Sequence, residues 1–343
     1  MRKQLVVAAG IAALLIPAAT AQAATKQVTI GPPKPLAGVP PVAFDADFYP
    51  RKVTIAKGDH VRFKWTTGFG DVIFVPKGED PVPFALPAGP VSGAKDAAGE
   101  DMWFDGQPNL APNMPGLAPR GGKVIDGSRI VSSGLALDGP QKPWKVRFTK
   151  PGTYRLGSVF HSGKKMTVVV KRGRKGVPTP KQDRRRLARQ IKASTKLAKK
   201  LTAFEGPKGN VVRAGNDAGA IAQIAFFPAR KTVEVGDTVK FEMSKESIEI
   251  HNVAFGPKPY LDAMPFLGPV LNPFVVYRSD APGTPVSLDG TNHGNGYFNT
   301  GVLDTDKRSP FPSSDAVTFT KPGTYAYYCT VHGNDMAGEI VVR

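Results

Sequence analysis

The only cysteine of this 343-residue chain lies close to a histidine and a methionine near the C-terminus. In the segment YYCTVHGNDMAGEIVVR, His332 follows Cys329 by three residues and Met336 follows His332 by four. A lone cysteine cannot form a disulfide bond within its own chain, so another role for its sulfur is expected. Thiolate, imidazole and thioether are soft or intermediate metal ligands. The spacing therefore predicts a metal site on this segment.

A second histidine, upstream, can complete a set of four ligands. His251 lies at the end of the predicted strand IEIHNVAF, and the predicted strand TYAYY leads into Cys329. A β-sandwich can bring these strands together, so that four donors surround one point: His251, Cys329, His332 and Met336. Two histidines, one cysteine and a weakly bound methionine form the kind of site that binds copper for electron transfer. Zinc is the alternative for a cysteine–histidine cluster, but a single cysteine with a methionine nearby favours copper.

An internal repeat indicates that the domain carrying this site is present twice. The segment FYPRKVTIAKGDHVRFKW at 48–65 aligns without a gap with FFPARKTVEVGDTVKFEM at 226–243. Each segment alternates apolar and polar residues as paired strands do, with Gly-Asp at the turn. Two further blocks match: DVIFVPK with NVAFGPK, and TKPGTYRLGSVFHSGKKMTVVVKR with TKPGTYAYYCTVHGNDMAGEIVVR. We therefore expect a duplicated domain composed of β-strands.

The first copy lacks two of the four ligand types, which predicts that it binds no copper. The aligned pairs, with the first copy named first, are Gly70 with His251, Ser158 with Cys329, His161 with His332, and Lys165 or Met166 with Met336. Because one imidazole alone binds metal weakly, we interpret His161 as a surface or packing histidine and not as a ligand. His60 and His293 have no ligand partner in the sequence and are not expected to bind metal.

Most of the positive charge lies in one segment between the two copies. The formal net charge is +18, yet the stretch from Lys171 to Lys200 holds 13 Lys and Arg residues against the single Asp183. After Pro178 and Pro180, the spacing of apolar residues predicts a helix capped by Asp183. The apolar stripe of this helix comprises Leu187, Ile191, Leu197, Ala198 and Leu201. The basicity therefore belongs to a helical linker and not to a face spread over a fold.

The basic linker allows two interpretations. It is either a solvated connector whose apolar stripe lies on a neighbouring sheet, or a docking element for an anionic surface or an acidic partner. Nucleic acid is not an expected partner, because the sequence has no aromatic platform and no recognisable nucleic-acid-binding module.

The N-terminus has the three parts of a secretory signal peptide. Arg2 and Lys3 precede an uncharged apolar run from Leu5 to about Ala19, and Ala-Gln-Ala at 21–23 is a small-x-small cleavage signal. The apolar run is short for a membrane span, and a retained signal anchor is the alternative. No second apolar stretch is long enough to cross a bilayer. The mature protein is therefore expected to be secreted or periplasmic, at the cell-envelope exterior, with no transmembrane span after signal cleavage.

The C-terminal motif resembles that of the cupredoxins, the plastocyanin, azurin and pseudoazurin group of blue copper proteins. It has the form C-x2-H-x3-M followed by G-x-I-x-V, with His-Asn on an upstream strand. The resemblance implies one copper ion, cycling between Cu(I) and Cu(II), held by His251, Cys329, His332 and Met336. It also implies that Asn252 braces the ligand loops through hydrogen bonds, and that His332 is the ligand nearest to solvent.

The predicted fold class is all-β, with two cupredoxin-like Greek-key β-sandwich domains joined by a basic helical linker. The predicted divisions are 1–23 for the signal peptide, 24–172 for a cupredoxin-like domain lacking the copper ligands, 173–208 for the basic linker with its amphipathic helix, and 209–343 for the cupredoxin domain with a type 1 copper site. The first domain contains a Pro- and Gly-rich insertion, from Pro76 to about Gly127. Whether it covers the vacant site of that domain or contacts a partner is open at this point.

Two functions from different classes remain open. One is an exported one-electron carrier that exchanges electrons with a redox partner protein through His332. The other is an extracytoplasmic copper-binding module for sequestration or delivery without a redox partner. For the carrier, the docking surface around His332 has four apolar candidates, which loop packing explains equally well: Pro259, Met264, Pro265 and Phe266.

An enzyme is not expected. Copper oxidases and nitrite reductases with two such domains need additional histidines, often as His-x-His, and a Cys-His dipeptide that connects the copper ions. This chain has five histidines, no His-x-His, and Thr330 after Cys329.

Overall fold

The computed structural model describes residues 22–40, 43–66, 70–136, 139–161, 163–245 and 247–343, which form two β-sandwiches and one long helix. The predicted signal peptide at 1–23 lies outside the described residues except for its last two positions. None of the helices in the described part of the chain is long and apolar enough to cross a membrane. The predicted all-β fold of two sandwiches with a helix between them is confirmed.

The first sandwich lies N-terminal to the long helix. Its segment contains β1 (Thr25–Ile30), β2 (Ala43–Asp45), β3 (Phe48–Tyr49), β4 (Lys52–Ala56), β5 (His60–Trp65), β6 (Ile73–Phe74), β7 (Ala85–Pro90), β8 (Pro108–Pro112), α1 (Met114–Leu117), β9 (Val124–Ile125), β10 (Val131–Ser132), β11 (Trp144–Phe148), β12 (Gly152–Gly157) and β13 (Met166–Lys171). One sheet has the order β3-β1-β5-β11-β9 and the other β10-β6-β12-β13-β4. Every second residue of β11 is buried, as expected for a strand with one face on the core.

The second sandwich lies C-terminal to the helix. Its segment contains β14 (Val211–Ala214), β15 (Ile221–Gln223), β16 (Phe226–Phe227), β17 (Arg230–Val233), β18 (Thr238–Met243), β19 (Ala254–Phe255), α3 (Lys258–Asp262), α4 (Pro273–Val276), β20 (Ser287–Leu288), a 3₁₀ turn (Asn292–Gly294), β21 (Phe298–Asn299), β22 (Ser314–Phe319), β23 (Gly323–Cys329) and β24 (Gly333–Val342). The sheet orders are β16-β14-β18-β22-β20 and β17-β24-β23-β19-β21. Phe241, Phe255 and Tyr327 pack together in the core between these sheets.

Corresponding strands occupy corresponding places in the two sandwiches. β5 lies between β1 and β11 just as β18 lies between β14 and β22, and β12 lies between β6 and β13 just as β23 lies between β19 and β24. The loop after β12 in the first sandwich therefore takes the position of the loop after β23 in the second. The internal repeat extends from the sequence to the strand order.

The basic linker contains helix α2 (Pro180–Thr202). The prediction that Asp183 caps it is wrong. Thr179 is the cap, because its side chain accepts a hydrogen bond from the Gln182 N–H and the Gln182 side chain accepts one from the Thr179 N–H. Asp183 lies in the first turn and forms an ion pair with Lys26 at 2.5 Å.

Near the C-terminal end of α2, the apolar stripe of the helix packs against β15, a strand of the second sandwich's segment. Ala198 and Leu201 are buried in one cluster with Ile221, and Leu197 packs against that cluster. The basic side chains Lys192, Lys196 and Lys199 are exposed. This packing is what the connector interpretation predicts, and docking of an acidic partner on the exposed face stays a prediction.

Two features join the sandwiches to each other. β2 pairs antiparallel with β15, so that one strand from each side of the linker forms a two-stranded sheet. The insertion at 76–127 reaches the second sandwich, where the Trp103 Nε1–H donates to the Arg278 carbonyl at 2.8 Å and the Phe104 ring stacks on Tyr277. The open question about the insertion is thereby answered in part, since it packs on the second sandwich of its own chain.

Candidate metal centre

The last two strands place Cys329 and His332 at one end of the second sandwich. β23 ends at Cys329, and the His332 N–H donates to the Cys329 carbonyl at 3.1 Å, which closes a tight turn. The pairing of β23 with β24 shifts register between Tyr328 and Cys329, an irregularity of the kind that re-aims side chains at the end of a sheet. Since β24 begins at Gly333, Met336 lies on this last strand.

His251 reaches the same end of the sandwich from outside the regular ladder. The predicted strand IEIHNVAF is much shorter in the structure, where only Ala254–Phe255 forms β19. Two backbone hydrogen bonds with Leu303 hold His251 in place. Its side chain is fully buried, and its Nε2 faces Gly215.

Three of the four predicted ligands converge on one point. The Cys329 Sγ lies 3.7 Å from Nδ1 of His251 and 3.5 Å from Nδ1 of His332. The possible ligand atoms of these three residues all lie within 4.8 Å of one another. The fourth predicted ligand, Met336, is fully buried in the same hydrophobic cluster as Cys329.

His332 is the most exposed of the four residues, as the resemblance implied. Its side chain is 15% exposed, whereas those of His251, Cys329 and Met336 are completely buried. Of the four residues, His332 is therefore the one through which the cluster reaches solvent.

Electrostatics favour the thiolate form of Cys329. Burial opposes ionisation of the thiol, but the contacts with His251 and His332 hold its pKa well below the ordinary value. Burial alone would lower the pKa of His332, yet the neighbouring Cys329 and Glu249 raise it to about 10. A thiolate is the form of cysteine that binds metal ions.

Asn252 braces the ligand loop, as the resemblance implied. Its Nδ2 donates to Thr330 Oγ1 at 2.7 Å and to Asn299 Oδ1 at 2.9 Å, and its Oδ1 accepts from the Val331 N–H at 3.4 Å. Because Thr330 and Val331 lie between Cys329 and His332, these bonds hold the turn that carries two of the predicted ligands.

The first sandwich keeps this bracing arrangement without the ligands. Asp71 takes the place of Asn252 and accepts hydrogen bonds from Ser158 Oγ at 2.6 Å and from the Val159 N–H at 3.0 Å. Gly70, which aligns with His251, leaves room for the ring of His161, because a Cβ there would lie 3.3 Å from it. The insertion covers this end, with the Phe84 and Phe160 rings 5.6 Å apart.

The structure decides between the two alternatives given for His161, surface and packing. His161 is a packing histidine and not a surface one, since only 1% of its side chain is exposed. Its Nε2 lies 3.1 Å from Oε1 of Glu249 in the second domain, and Oε2 of Glu249 lies 3.7 Å from Nε2 of His332. Sequence reasoning missed Glu249. Its only signal was an acidic residue two positions before His251 in an otherwise apolar segment.

The remaining histidines lie elsewhere in the fold. His60 is on β5, away from the cluster of described ligands. His293 lies between two carboxylates, with Nδ1 3.2 Å from Asp96 and Nε2 3.4 Å from Asp280. Because Asp96 belongs to the insertion, His293 helps to fasten the insertion to the second sandwich.

The apolar docking candidates divide into exposed and packed residues. Pro259 and Pro265 are exposed, and Phe266 is partly buried. Met264 packs against the cluster that contains Phe104 of the insertion. Loop packing therefore accounts for Met264.

The donor set fits a copper ion. The Cys329 sulfur is buried, its thiolate form is favoured, and two imidazole nitrogens lie next to it. Such a set of donors suits both Cu(I) and Cu(II), and the buried Met336 thioether adds a weak soft ligand. Zinc sites are usually completed by further thiolates, imidazoles, carboxylates or water and not by methionine. Asp217, Glu249 and His161 offer no atom within the cluster of three.

The comparison with protein-family models agrees with this chemistry. Residues 213–343 match the family model of copper binding proteins, plastocyanin/azurin family. No curated protein matches the chain. Similar solved structures include an oxidised plastocyanin from Dryopteris crassirhizoma, with 24% identity over 39% of this chain and 99% of that one and a TM-score of 0.22.

Two further solved structures have comparable similarity. A purple cupredoxin from Nitrosopumilus maritimus has 18% identity over 39% of this chain and 98% of that one, with a TM-score of 0.22. Amicyanin from Paracoccus versutus has 19% identity over 40% of this chain and 82% of that one, with a TM-score of 0.23.

Proposed function

Because residues 213–343 match the plastocyanin/azurin family of copper-binding proteins, we propose that the protein is an exported one-electron carrier with a single copper site in its C-terminal domain. The ligands in this proposal are His251, Cys329, His332 and Met336. The observation that supports it most strongly is the buried Cys329 sulfur, with Nδ1 of His332 at 3.5 Å and Nδ1 of His251 at 3.7 Å.

The residues around the site favour a fixed geometry. A bound copper ion supplies a one-electron couple between Cu(I) and Cu(II). His251 is held by Leu303 and the 329–332 turn by Asn252, so the donor atoms have little freedom to move. A site that keeps its shape in both oxidation states exchanges electrons with little rearrangement.

The burial of the site also favours a carrier over a copper-delivery module. Of the four proposed ligands only His332 has an exposed side-chain fraction, 15%, which leaves little access for a ligand-exchange partner. The proposal includes no catalytic role. Of the three other histidines, His161 and His293 are engaged by the carboxylates of Glu249, Asp96 and Asp280, and His60 lies on β5 of the first sandwich.

A spectroscopic redox cycle tests the carrier function. The protein from residue 24 onward is mixed with one equivalent of Cu(II), reduced with ascorbate and re-oxidised, and bound copper is measured after each step by gel filtration and metal analysis. We expect an intense visible band that bleaches and returns while copper stays bound. Loss of copper on reduction would contradict the carrier function and favour delivery.

Removing the brace is expected to weaken copper binding. In Asn252→Ala the turn carrying Cys329 and His332 loses the hydrogen bonds that Thr330 and Val331 make with the Asn252 side chain. Loss of such a supporting residue typically lowers metal affinity about 10–100-fold. A competition titration with a chelator measures the change. Asn292→Ala is the control, because Asn292 also makes a side-chain hydrogen bond, to the Ser287 carbonyl at 2.8 Å, in another loop. Equal losses in both variants would contradict the bracing role.

A further inference from the structure

The two domains meet next to the exposed edge of the proposed copper site. The loop after β12 packs on the segment before His251, so closely that a Cβ on Gly163 would lie 2.8 Å from Cγ2 of Ile248. Directly beside this contact, His161 of the first domain pairs with Glu249, whose other oxygen faces His332. The ligand with an exposed edge therefore lies at the domain boundary.

A cleft of about 1060 Å³ opens at this boundary. Residues from both domains line it, including Ser158, Gly163 and Lys164 from the first domain and Ser247 and Ile248 from the second. Ile248, which lines the cleft, directly precedes Glu249, whose carboxylate faces His332, so the Cα atoms of these two residues are about 3.8 Å apart.

The rim of the cleft is strongly basic. Six exposed cations line it. Arg51 and Arg308 are paired with lining carboxylates, and the other four are Arg155, Lys165, Lys245 and Lys307. None of these four forms an ion pair with an acidic residue in the described part of the chain. Two of the lining carboxylates, Asp47 and Asp306, are already paired with Arg51 and Arg308. The only other acidic residue among the described lining residues is Glu79, so cations outnumber carboxylates in the cleft.

We propose that this interdomain cleft is the docking surface for an acidic redox partner protein, and that electron exchange takes place there beside His332. The inference rests on the proposed function and adds the partner's charge and the place of contact to it. A basic cleft next to the electron-exchange edge raises the local concentration of an anionic partner and orients it on encounter. The first domain, which lacks the ligands, would then provide one wall of the docking site.

Redox probes of opposite charge test the proposal. The reduced copper protein is oxidised in a stopped-flow experiment by ferricyanide, an anion that takes one electron to become ferrocyanide, or by the cation tris(phenanthroline)cobalt(III), which is reduced to cobalt(II). The variant Lys165→Glu/Lys307→Glu reverses two charges in the cleft. Its control, Lys192→Glu/Lys196→Glu, makes the same change of net charge on the exposed face of α2.

At low ionic strength, we expect ferricyanide to oxidise the cleft variant at least about tenfold more slowly than the unmodified protein. The cobalt complex should oxidise the cleft variant faster than the unmodified protein. The difference should shrink towards 1 M salt, where the Debye length falls to about 3 Å. The helix variant should change either rate much less. A misfolded variant would not accelerate with one probe and slow with the other, so the opposite signs identify a charge effect at the site.

Two results would overturn the docking proposal. One is a helix variant that changes the rates as much as the cleft variant, and the other is a cleft variant whose rates equal those of the unmodified protein. The reversible visible band is recorded first in every sample. Its absence from the unmodified protein would overturn the carrier function itself, and its presence with insensitive rates would overturn only the docking site.

Discussion

Replacing Cys329 with serine is expected to abolish the visible absorption band of the Cu(II) protein. The band requires a sulfur donor, and Cys329 is the only cysteine in the chain. A serine hydroxyl is a hard, neutral donor, so tight binding of copper should be lost with the band. Absorption spectra and chelator titrations of Cys329→Ser measure both effects.

The fold of the second domain should survive this change. Serine already occupies the equivalent position in the first domain, where Ser158 is accommodated beside Asp71. Circular dichroism and thermal unfolding of the metal-free protein should therefore differ little between the variant and the unmodified chain. Ser158→Ala is the matched control and should keep the visible band. A full band in Cys329→Ser would show that the sulfur is not a ligand.

Replacing Gly215 with alanine is expected to displace the ring of His251 and thereby to disturb the proposed copper site. Gly215 has a φ of +71°, and a Cβ there would lie 2.4 Å from Nε2 of His251. The left-handed backbone costs a non-glycine residue roughly 1–2 kcal/mol, and overpacking a core costs typically about 1–3 kcal/mol more. The metal-free protein should therefore be about 2–5 kcal/mol less stable in denaturant unfolding.

Copper binding should suffer as well, because the ring of His251 must move to make room for the new methyl group. Gly209→Ala is a close control, since Gly209 has a φ of +73° and a Cβ there meets no atom within 4 Å. It carries the backbone strain without the collision. If Gly209→Ala weakened copper binding as much as Gly215→Ala, strain alone would explain the effect, and the role of the Gly215 contact would be wrong.

The sequence by itself determined the chemistry and the layers of this protein. The C-x2-H-x3-M spacing places three donors on one turn and the strand after it, and the donors' identities select the metal, so both can be read from residue types. The two-residue alternation in β11 and β13 marks which faces are buried, and that pattern is local. The repeat then predicts the same sandwich twice. Helix α2 was also predicted from a local pattern, the spacing of its apolar residues. Its predicted cap, Asp183, was wrong, because Thr179 and Gln182 form a capping box at its start.

Only the tertiary structure decided how the two domains meet. His161 contacts Glu249, which is 88 positions further along the chain, and β2 pairs with β15. Both contacts join residues on opposite sides of α2, and no periodicity in the sequence specifies such pairs. The insertion likewise lies on Arg278 and Tyr277 because those surfaces are complementary, which composition alone does not reveal. Ligand types and strand patterns are properties of short segments. The contacts that the first domain makes beside His332 depend instead on the packing of one whole domain on another.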